Sequence, residues 1–320
     1  MTSEEEKRLR DLDARLSGEV SIQLQATDDS RSALFRAFCE ELTDAAPKVR
    51  VFEERRDERT APRMRINPGL HYHALPLGAE LEPFLQALTY LDGQPPPGPL
   101  PFQDEIDAMA FSADLRLYVA PQCRFCPSVV RQLLPLPFSS PRIQLAIIDG
   151  LLFPEMAEEH KIQSVPTVIL DGEFRWTGSL NMQELVSVLL NRDPARLTLS
   201  SLENMMTEGN AGQLAALILK AGALFPTFIE LLTHPHFSVR LGAMVVMEEL
   251  IERNPEVAIQ TVRPLWERFP QADPQIQGDI LYVLGELGAR DMVSNIGEVL
   301  NGDYDVEVKE AAREALEKIR

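Results

Sequence analysis

Apolar and polar positions follow two different periods in the first part of the chain. Short runs with a period of two, such as residues 22–27, 115–119 and 143–148, predict β-strands. Runs with a period near 3.6 predict amphipathic helices. The other predicted strands are residues 49–53, 63–66, 70–74, 167–170 and 173–176. The predicted helices are residues 4–16, 32–42, 80–91, 102–110, 154–160 and 181–190.

These elements form two successive α/β segments. Residues 1–94 read as a leading helix and then βαβββα, and residues 102–193 read as βαβαββα. The stretch QPPPGPLP lies between them, and its proline density predicts a stiff linker over residues 95–101. The hydrophobic pattern therefore predicts two similar α/β domains in tandem.

The last part of the chain changes to helical patterns without a convincing strand. Residues 235–251, 274–288 and 305–319 align, with equivalent apolar residues about every 35 positions. Helices preceding these three segments are predicted at residues 224–232, 258–269 and 292–300, with residues 199–221 as an N-terminal cap. Stacked helix pairs of this period predict an all-α, HEAT-like repeat domain over residues 198–320.

A Cys-x-x-Cys pair follows the strand of residues 115–119. The periodic apolar residues beyond it predict a helix that begins at Cys123, with Pro127 in the first turn. The partial positive charge of a helix N-terminus and the adjacent Arg124 favour a thiolate at Cys123. Cys126 is one turn further on and more enclosed, so it is the natural resolving thiol.

The tetrapeptide Ser164-Val165-Pro166-Thr167 directly precedes another predicted strand. A proline at this place removes a ladder donor, so it indicates a special role. A strand, Cys-x-x-Cys-Pro, a helix and then Val-Pro-Thr before a hairpin is typical of thioredoxin-type proteins. The first segment has Asp28, Asp29 and Ser30 where its own cysteines would stand, so we expect no thiol chemistry there.

The remaining cysteine and the histidines indicate no second site. Cys39 shares a helix face with Phe35 and Leu42, which predicts a buried, inert thiol. The histidine pairs, His71 with His73 and His234 with His236, could in principle complete a zinc site. Both pairs lie in proline-flanked stretches, so we expect surface histidines and no metal.

Composition narrows the classes of partner. The net charge of −18 argues against nucleic acid and anionic membranes. No apolar run approaches the roughly 20 residues that span a bilayer. The N-terminal stretch is charged throughout and lacks the apolar centre of a secretory signal, which predicts a cytoplasmic protein.

Several motifs in residues 19–190 resemble the N-terminal tandem thioredoxin-like domain of bacterial alkyl hydroperoxide reductase flavoproteins: SIQLQATDDS, INPG, PLGAELEPFLQALTYLDG, QCRFCPSVVRQLL, PRIQLAIIDG and SVPTVIL. The resemblance implies that Cys123 is the nucleophile and Cys126 the resolving thiol. It implies a cis peptide before Pro166, with Val165 pairing its backbone with a substrate chain. Glu80 would be an acid lent to the thiol site by the first fold, although a simple carboxylate at a helix start is equally compatible.

One departure from that family is large, because HEAT-like helices stand where a flavin- and nucleotide-binding module would follow, and no Gly-x-Gly-x-x-Gly occurs. We therefore expect no cofactor beyond the Cys123–Cys126 disulfide, and an external reductase or small thiol as electron donor. The predicted function is reduction of disulfide-bearing proteins, with Val165, Arg124 and Phe125 binding the substrate and the HEAT-like domain recruiting partners. The alternative is a binding scaffold whose thiols only report redox state.

Overall fold

The computed structural model describes residues 1–56, 60–94 and 102–319, and the chain forms two compact units, Met1–Leu190 and Asn191–Arg320. The strands described in the first unit are β1 (Val20–Ala26), β2 (Val49–Arg55), β3 (Arg63–Asn67), β4 (Leu70–His73), β5 (Ala113–Val119), β6 (Ile143–Asp149), β7 (Thr167–Leu170) and β8 (Phe174–Thr177). Its helices are α1 (Ser3–Arg15), α2 (Ser32–Ala45), α3 (Leu81–Leu91), α4 (Gln103–Asp107), α5 (Cys126–Leu133), α6 (Pro135–Ser139), α7 (Pro154–Glu159) and α8 (Met182–Asn191). The predicted linker, residues 95–101, lies outside the described residues.

All strands of the first unit belong to one mixed sheet with the order β2-β1-β3-β4-β6-β5-β7-β8. In the first half, β1 pairs parallel with β2 and antiparallel with β3. In the second half, β5 pairs in the same way with β6 and β7. We call these halves the first fold, which ends with α3, and the second fold, which begins with β5.

The two folds are joined by parallel pairing of β4 with β6, which the sequence did not predict. Leu70 lies opposite Leu145, and the amide of Leu145 donates to the Gly69 carbonyl at 2.7 Å. A Cβ atom on Gly69 would lie 2.6 Å from the Ile143 carbonyl oxygen and 3.1 Å from the Pro137 side chain. The junction therefore requires a residue without a side chain at position 69.

One face of the sheet carries the apolar core of the first fold. Residues on this face alternate with polar residues along β1 and β3, as the period of two predicts. Helices α2 and α3 cover this face, and Phe84 of α3 lies edge-on to Phe38 of α2 and to Tyr72 of β4, at centroid distances of 5.8 and 5.5 Å. Aromatic packing of this kind stabilises the helices against the sheet.

The second unit is helical throughout its described residues. Its helices are α9 (Leu199–Thr207), α10 (Ala211–Ala221), α11 (Pro226–Leu232), α12 (Phe237–Arg253), α13 (Pro255–Ala258), α14 (Val262–Arg268), α15 (Pro274–Glu286), α16 (Val293–Asn301) and α17 (Val306–Ile319). Contacts join α11 to α12, α12 to α15, and α16 and α15 to α17. The helical class is as expected, and the HEAT-like character stays a prediction. Of the helices in the described parts of the chain, none is long and apolar enough to cross a bilayer.

A buried arginine links two helices of the second unit. Arg240 of α12 is 1% exposed, and its Nε donates to Asp279 of α15 at 2.5 Å. Its Nη1 donates to the backbone carbonyls of His234 and Pro235 at 2.7 and 3.0 Å. These bonds satisfy a charge that would otherwise be costly to bury.

Gly69→Ala should destabilise the first unit by about 1–3 kcal/mol, because the new methyl group overpacks the β4–β6 junction. Native-state hydrogen exchange of the β4 and β6 amides measures the change within this unit. Gly18→Ala is the matched control, since its Cβ would meet no atom within 4 Å, and we expect a change within about 0.5 kcal/mol. Equal protection in the two variants would contradict the steric account of the junction.

Candidate functional site

The two cysteines lie where β5 gives way to α5, and they form a disulfide. Helix α5 begins at Cys126, so the prediction that it begins at Cys123 is wrong. The Cys123 amide instead donates to the Ala120 carbonyl at 3.0 Å, which closes a turn ahead of the helix. Cys126 is fully buried, whereas Cys123 is partly exposed. An incoming substrate can therefore reach only Cys123.

The start of α5 provides electrostatic support for the Cys123 sulfur. The amide of Cys126 donates to Cys123 Sγ at 3.1 Å. This amide belongs to the first turn of the helix, where N–H groups carry a partial positive charge. In the reduced protein the same contact would stabilise a thiolate at Cys123. Arg124, predicted to add a full charge, is exposed beside the turn.

The segment before β7 brings the predicted proline to the disulfide. The Val165–Pro166 peptide is cis, and the Val165 carbonyl oxygen lies 3.7 Å from Cys123 Sγ. Antiparallel pairing places Thr167 opposite Tyr118 near the end of β5, which holds the loop beside the cysteine turn. Sheet register therefore sets the relation between Pro166 and Cys123.

A groove of about 380 Å³ runs beside this pair. Phe125, which is 68% exposed, forms one side, and Val165 and Pro166 form another. Gly178, Ser179 and Leu180, which follow β8, complete the lining with residues of α5. Two predicted substrate-binding residues, Phe125 and Val165, thus line one groove, whereas Arg124 does not line it.

Glu80 lies in a single 3-10 turn, Gly78–Glu80, that contacts α5. Its side chain is 5% exposed, and neither carboxylate oxygen has a hydrogen-bond partner among the described residues. It forms no capping bond to α3, so the helix-start interpretation does not describe its contacts. Burial raises the pKa of Glu80 to about 7, the nearby Arg131 of α5 opposes this rise, and Asp149 adds to it.

Two buried polar groups near Glu80 were missed by sequence reasoning. Asp149 ends β6, opposite Val119, and its Oδ1 accepts the amides of Leu151 and Leu152 at 2.9 and 3.2 Å. The Tyr72 hydroxyl is buried without a hydrogen-bond partner in the described chain, and burial and then Glu80 raise its pKa. An acid that ends a buried apolar strand was the available signal for Asp149.

The histidines were partly misplaced by the prediction. His71 and His73 lie on β4 and are 9% and 7% exposed, so the expectation of surface histidines is wrong for this pair. His234 is also buried, and its Nε2 lies 3.0 Å from Glu203. Cys39 is buried as expected, and burial raises its thiol pKa to about 12.

Comparison with known proteins supports the fold of the first unit. A family model described as "Thioredoxin domain" matches residues 114–191. The N-terminal domain of alkylhydroperoxide reductase AhpF from Enterococcus faecalis is 22% identical, with a TM-score of 0.51, and the match covers 59% of this chain and 99% of that structure. A protein disulfide oxidoreductase from Aeropyrum pernix is 13% identical, with a TM-score of 0.54, over 62% of this chain and 95% of that one.

Two curated relatives are similar in sequence over the same region. NADH dehydrogenase of Bacillus subtilis is 25% identical over 177 residues, or 54% of this chain and 34% of the relative. The alkyl hydroperoxide reductase protein AhpF of Staphylococcus aureus is 26% identical over 188 residues, or 57% of this chain and 36% of the relative. The chain thus matches about a third of the length of these relatives.

The expectation that the chemistry needs no cofactor beyond the disulfide is wrong, because one of these relatives is itself named for NADH. The residues of this chain do not fit a dinucleotide, however. No Gly-x-Gly-x-x-Gly occurs in the sequence, and the turn after β5 presents cysteines where a phosphate-binding loop would present glycine amides. The first unit therefore has a thioredoxin-like fold that resembles the N-terminal region of the AhpF proteins.

The carboxyl group of Glu80 should titrate near pH 7 rather than at its usual 4.5, because burial disfavours its charged form. The folded state then holds this proton more tightly than the unfolded state, so the contribution of Glu80 to stability falls as pH rises from 4.5 to about 7. Carbon-13 NMR of the labelled carboxyl measures the midpoint, and Glu80→Gln identifies the resonance by removing it. A midpoint at the usual value would contradict the buried, unpartnered geometry.

Proposed function

We propose that the chain is a thiol–disulfide oxidoreductase that reduces disulfide-bearing proteins with the Cys123/Cys126 dithiol. The observation that carries the proposal is the contact of Cys123 Sγ with the Val165 carbonyl oxygen at 3.7 Å, beside an open groove. This arrangement lets a substrate chain pair with the backbone before Pro166 while its disulfide faces the partly exposed sulfur. The thioredoxin-like fold and the redox enzymes among its relatives support a reaction of this class.

The reaction proceeds by two displacements at sulfur. Cys123 thiolate attacks one sulfur of the substrate disulfide, a mixed disulfide forms, and the other substrate sulfur leaves as a thiolate. Cys126, once deprotonated, attacks Cys123 Sγ and releases the second substrate thiolate. The substrate gains two electrons, and the Cys123–Cys126 disulfide is the oxidised product.

Glu80 is the proposed acceptor for the Cys126 proton. Cys126 is fully buried, so solvent does not reach it, and Glu80 lies in the turn that contacts α5. A carboxyl group with a pKa of about 7 exchanges a proton readily at neutral pH. The supporting observation is that both oxygens of Glu80 lack other partners in the described chain.

The oxidised pair must then be reduced by an external donor. The relative named NADH dehydrogenase favours electrons that originate from a nicotinamide nucleotide bound by a partner protein. The alkyl hydroperoxide reductase relative is named as one component of a larger enzyme, which favours a protein partner for the exchange. The direction is reductive, as the predicted cytoplasmic location requires.

Cys123→Ser should reduce the rate of insulin disulfide reduction by dithiothreitol to that of dithiothreitol alone, because the attacking sulfur is lost. Cys126→Ser should accumulate a mixed disulfide with the substrate, visible on a non-reducing gel. Cys39→Ser is the matched control and should retain full activity, since this thiol is buried and its pKa is about 12. Unchanged activity in Cys123→Ser would contradict the proposal.

The second candidate function is a scaffold in which the C-terminal helices engage a protein partner. The observation that favours it is a row of exposed apolar side chains on α12, formed by Phe237, Leu241 and Val245 at 57%, 49% and 44% exposure. They are four residues apart and therefore share one helix face. Exposed apolar rows of this kind mark protein-binding surfaces. This candidate places partner recruitment on the HEAT-like domain.

Leu241→Glu combined with Val245→Glu should lower the yield of partners captured by the Cys126→Ser variant, because charges replace the apolar row. Mass spectrometry of the mixed disulfides formed in a cell extract measures the yield. Ile259→Glu is the matched control, because Ile259 is 48% exposed in the same unit but outside α12. Identical capture by all three variants would exclude recruitment through α12. Capture without insulin turnover would favour the scaffold over the reductase.

A further inference from the structure

The first fold contains a polar cavity of about 390 Å³ at the carboxyl end of β1. We call it the β1 cavity. Its walls come from the loop after β1, from the chain around the start of β3, from β4 and from the first turn of α7. The lining residues are Gln25, Asp29, Arg31, Arg56, Thr60, Ala61, Arg63, His73, Glu155 and Met156.

This cavity occupies the same place in the first fold as the thiol groove in the second. Strand β1 corresponds to β5, since each lies between a parallel and an antiparallel neighbour. The loop with Asp29 and Arg31 therefore corresponds to the cysteine turn. Ala61, just before β3, corresponds to Val165, just before β7. Charged side chains thus stand where the other fold has thiols.

The two acids of the cavity are already neutralised by Arg31. Its guanidinium donates to both oxygens of Asp29 and to Glu155 at 2.6 Å, and it also donates to the Leu152 carbonyl at 2.8 Å. The ring of Phe153 lies under it at 4.2 Å. The hydrogen bonds from Arg31 lower the pKa of both Asp29 and Glu155. These acids therefore remain ionised and committed to one cation.

Arg63 has no comparable counter-ion. Its Nε donates to Gln25 Oε1 at 2.6 Å, and no ion pair with a described residue involves it. Gln25 is 1% exposed, and its amide nitrogen donates to Gln23 and Glu54, so the orientation of Gln25 is fixed. Burial and then the neighbouring Arg56 and Arg65 lower the pKa of Arg63, while Glu54 opposes them only weakly. A half-buried guanidinium is thus held in a positive field.

His73 adds an acceptor next to this donor. Its Nδ1 lies 3.2 Å from the Pro62 carbonyl oxygen, and a carbonyl only accepts, so Nδ1 carries the proton. Burial and then Arg63 lower the pKa of His73 to about 3, so the ring is neutral at pH 7. Its Nε2 therefore offers a lone pair. The cavity combines a planar cationic fork with a neutral acceptor.

We propose that the β1 cavity binds a small oxyanion, a carboxylate or a phosphate, through the guanidinium of Arg63, with Nε2 of His73 accepting from a donor group on the same ligand. Arginine is suited to this task because its fork matches the two oxygens of a carboxylate or phosphate. The first fold then serves as a ligand-binding module, while the second fold performs thiol exchange. Neither role depends on the other.

Titration calorimetry of the full chain with inorganic phosphate and, separately, with succinate tests the proposal at neutral pH. We expect saturable binding of at least one probe with a Kd below about 1 mM. Arg63→Gln should weaken it at least about tenfold, because a bidentate charge-assisted contact is lost. Arg63→Lys, which keeps the charge and loses the fork, should weaken it less than Arg63→Gln.

Arg50→Gln is the matched control, since Arg50 is an exposed arginine of the same fold paired with Glu19 at 2.7 Å. It should leave the Kd unchanged. Amide NMR shifts caused by the bound probe should centre on β1 and β3. The proposal is overturned if neither probe saturates, if Arg50→Gln weakens binding as much as Arg63→Gln, or if shifts map elsewhere. Binding of an acidic peptide but of neither small probe would also overturn it.

Discussion

The parallel pairing of β4 with β6 is the constraint on which the rest of the first unit depends. It merges two half-sheets into one, and the close approach at Gly69 admits no side chain. Because the pairing fixes β4 beside the second fold, the chain that leaves β4 must pass over the second fold as well. The turn Gly78–Glu80 therefore contacts α5, and α3 packs on the same helix. Contacts between the folds thus follow from sheet order rather than from a separate interface.

Burial of Glu80 is costly unless the group is neutral or serves a purpose. A charged carboxylate without hydrogen bonds in a dry site is unfavourable by several kcal/mol. The structure avoids that cost at low pH by protonation, because the pKa of Glu80 rises to about 7. Arg131 offsets part of the cost when the group ionises. A carboxyl group balanced between two protonation states suits proton exchange with a buried thiol, and a purely structural role would favour an apolar residue instead.

Local signals predicted the parts of the site that are local in the chain. Period-two patterns located β5 and β6, and the motifs around Cys123, Cys126 and Pro166 placed all three beside one groove. Errors arose where distant segments decide the outcome. His73 was expected at the surface because its own hairpin is polar, but Phe153 of the second fold packs edge-on against its ring at 5.7 Å. No window around residue 73 contains that information. The position of Glu80 was suggested only by resemblance to a known family, since its contacts with α5 cross from one fold to the other.

Sheet order also explains why thiol chemistry resides in the second fold. The strand that corresponds to β4 in the second fold is β8, and β8 lies at the edge of the described sheet. The chain that follows β4 passes beneath the second fold's cysteine helix, whereas the chain that follows β8 lies at the far end of the sheet from the first fold. A buried acid can therefore be lent from the first fold to the second, but not in return. A dithiol placed after β1 would lack the proton acceptor proposed for Cys126, because no turn equivalent to Gly78–Glu80 reaches it. The asymmetry of one strand pairing thus makes the second fold the favourable place for a resolving thiol, and it leaves the corresponding cavity of the first fold open to a different chemistry.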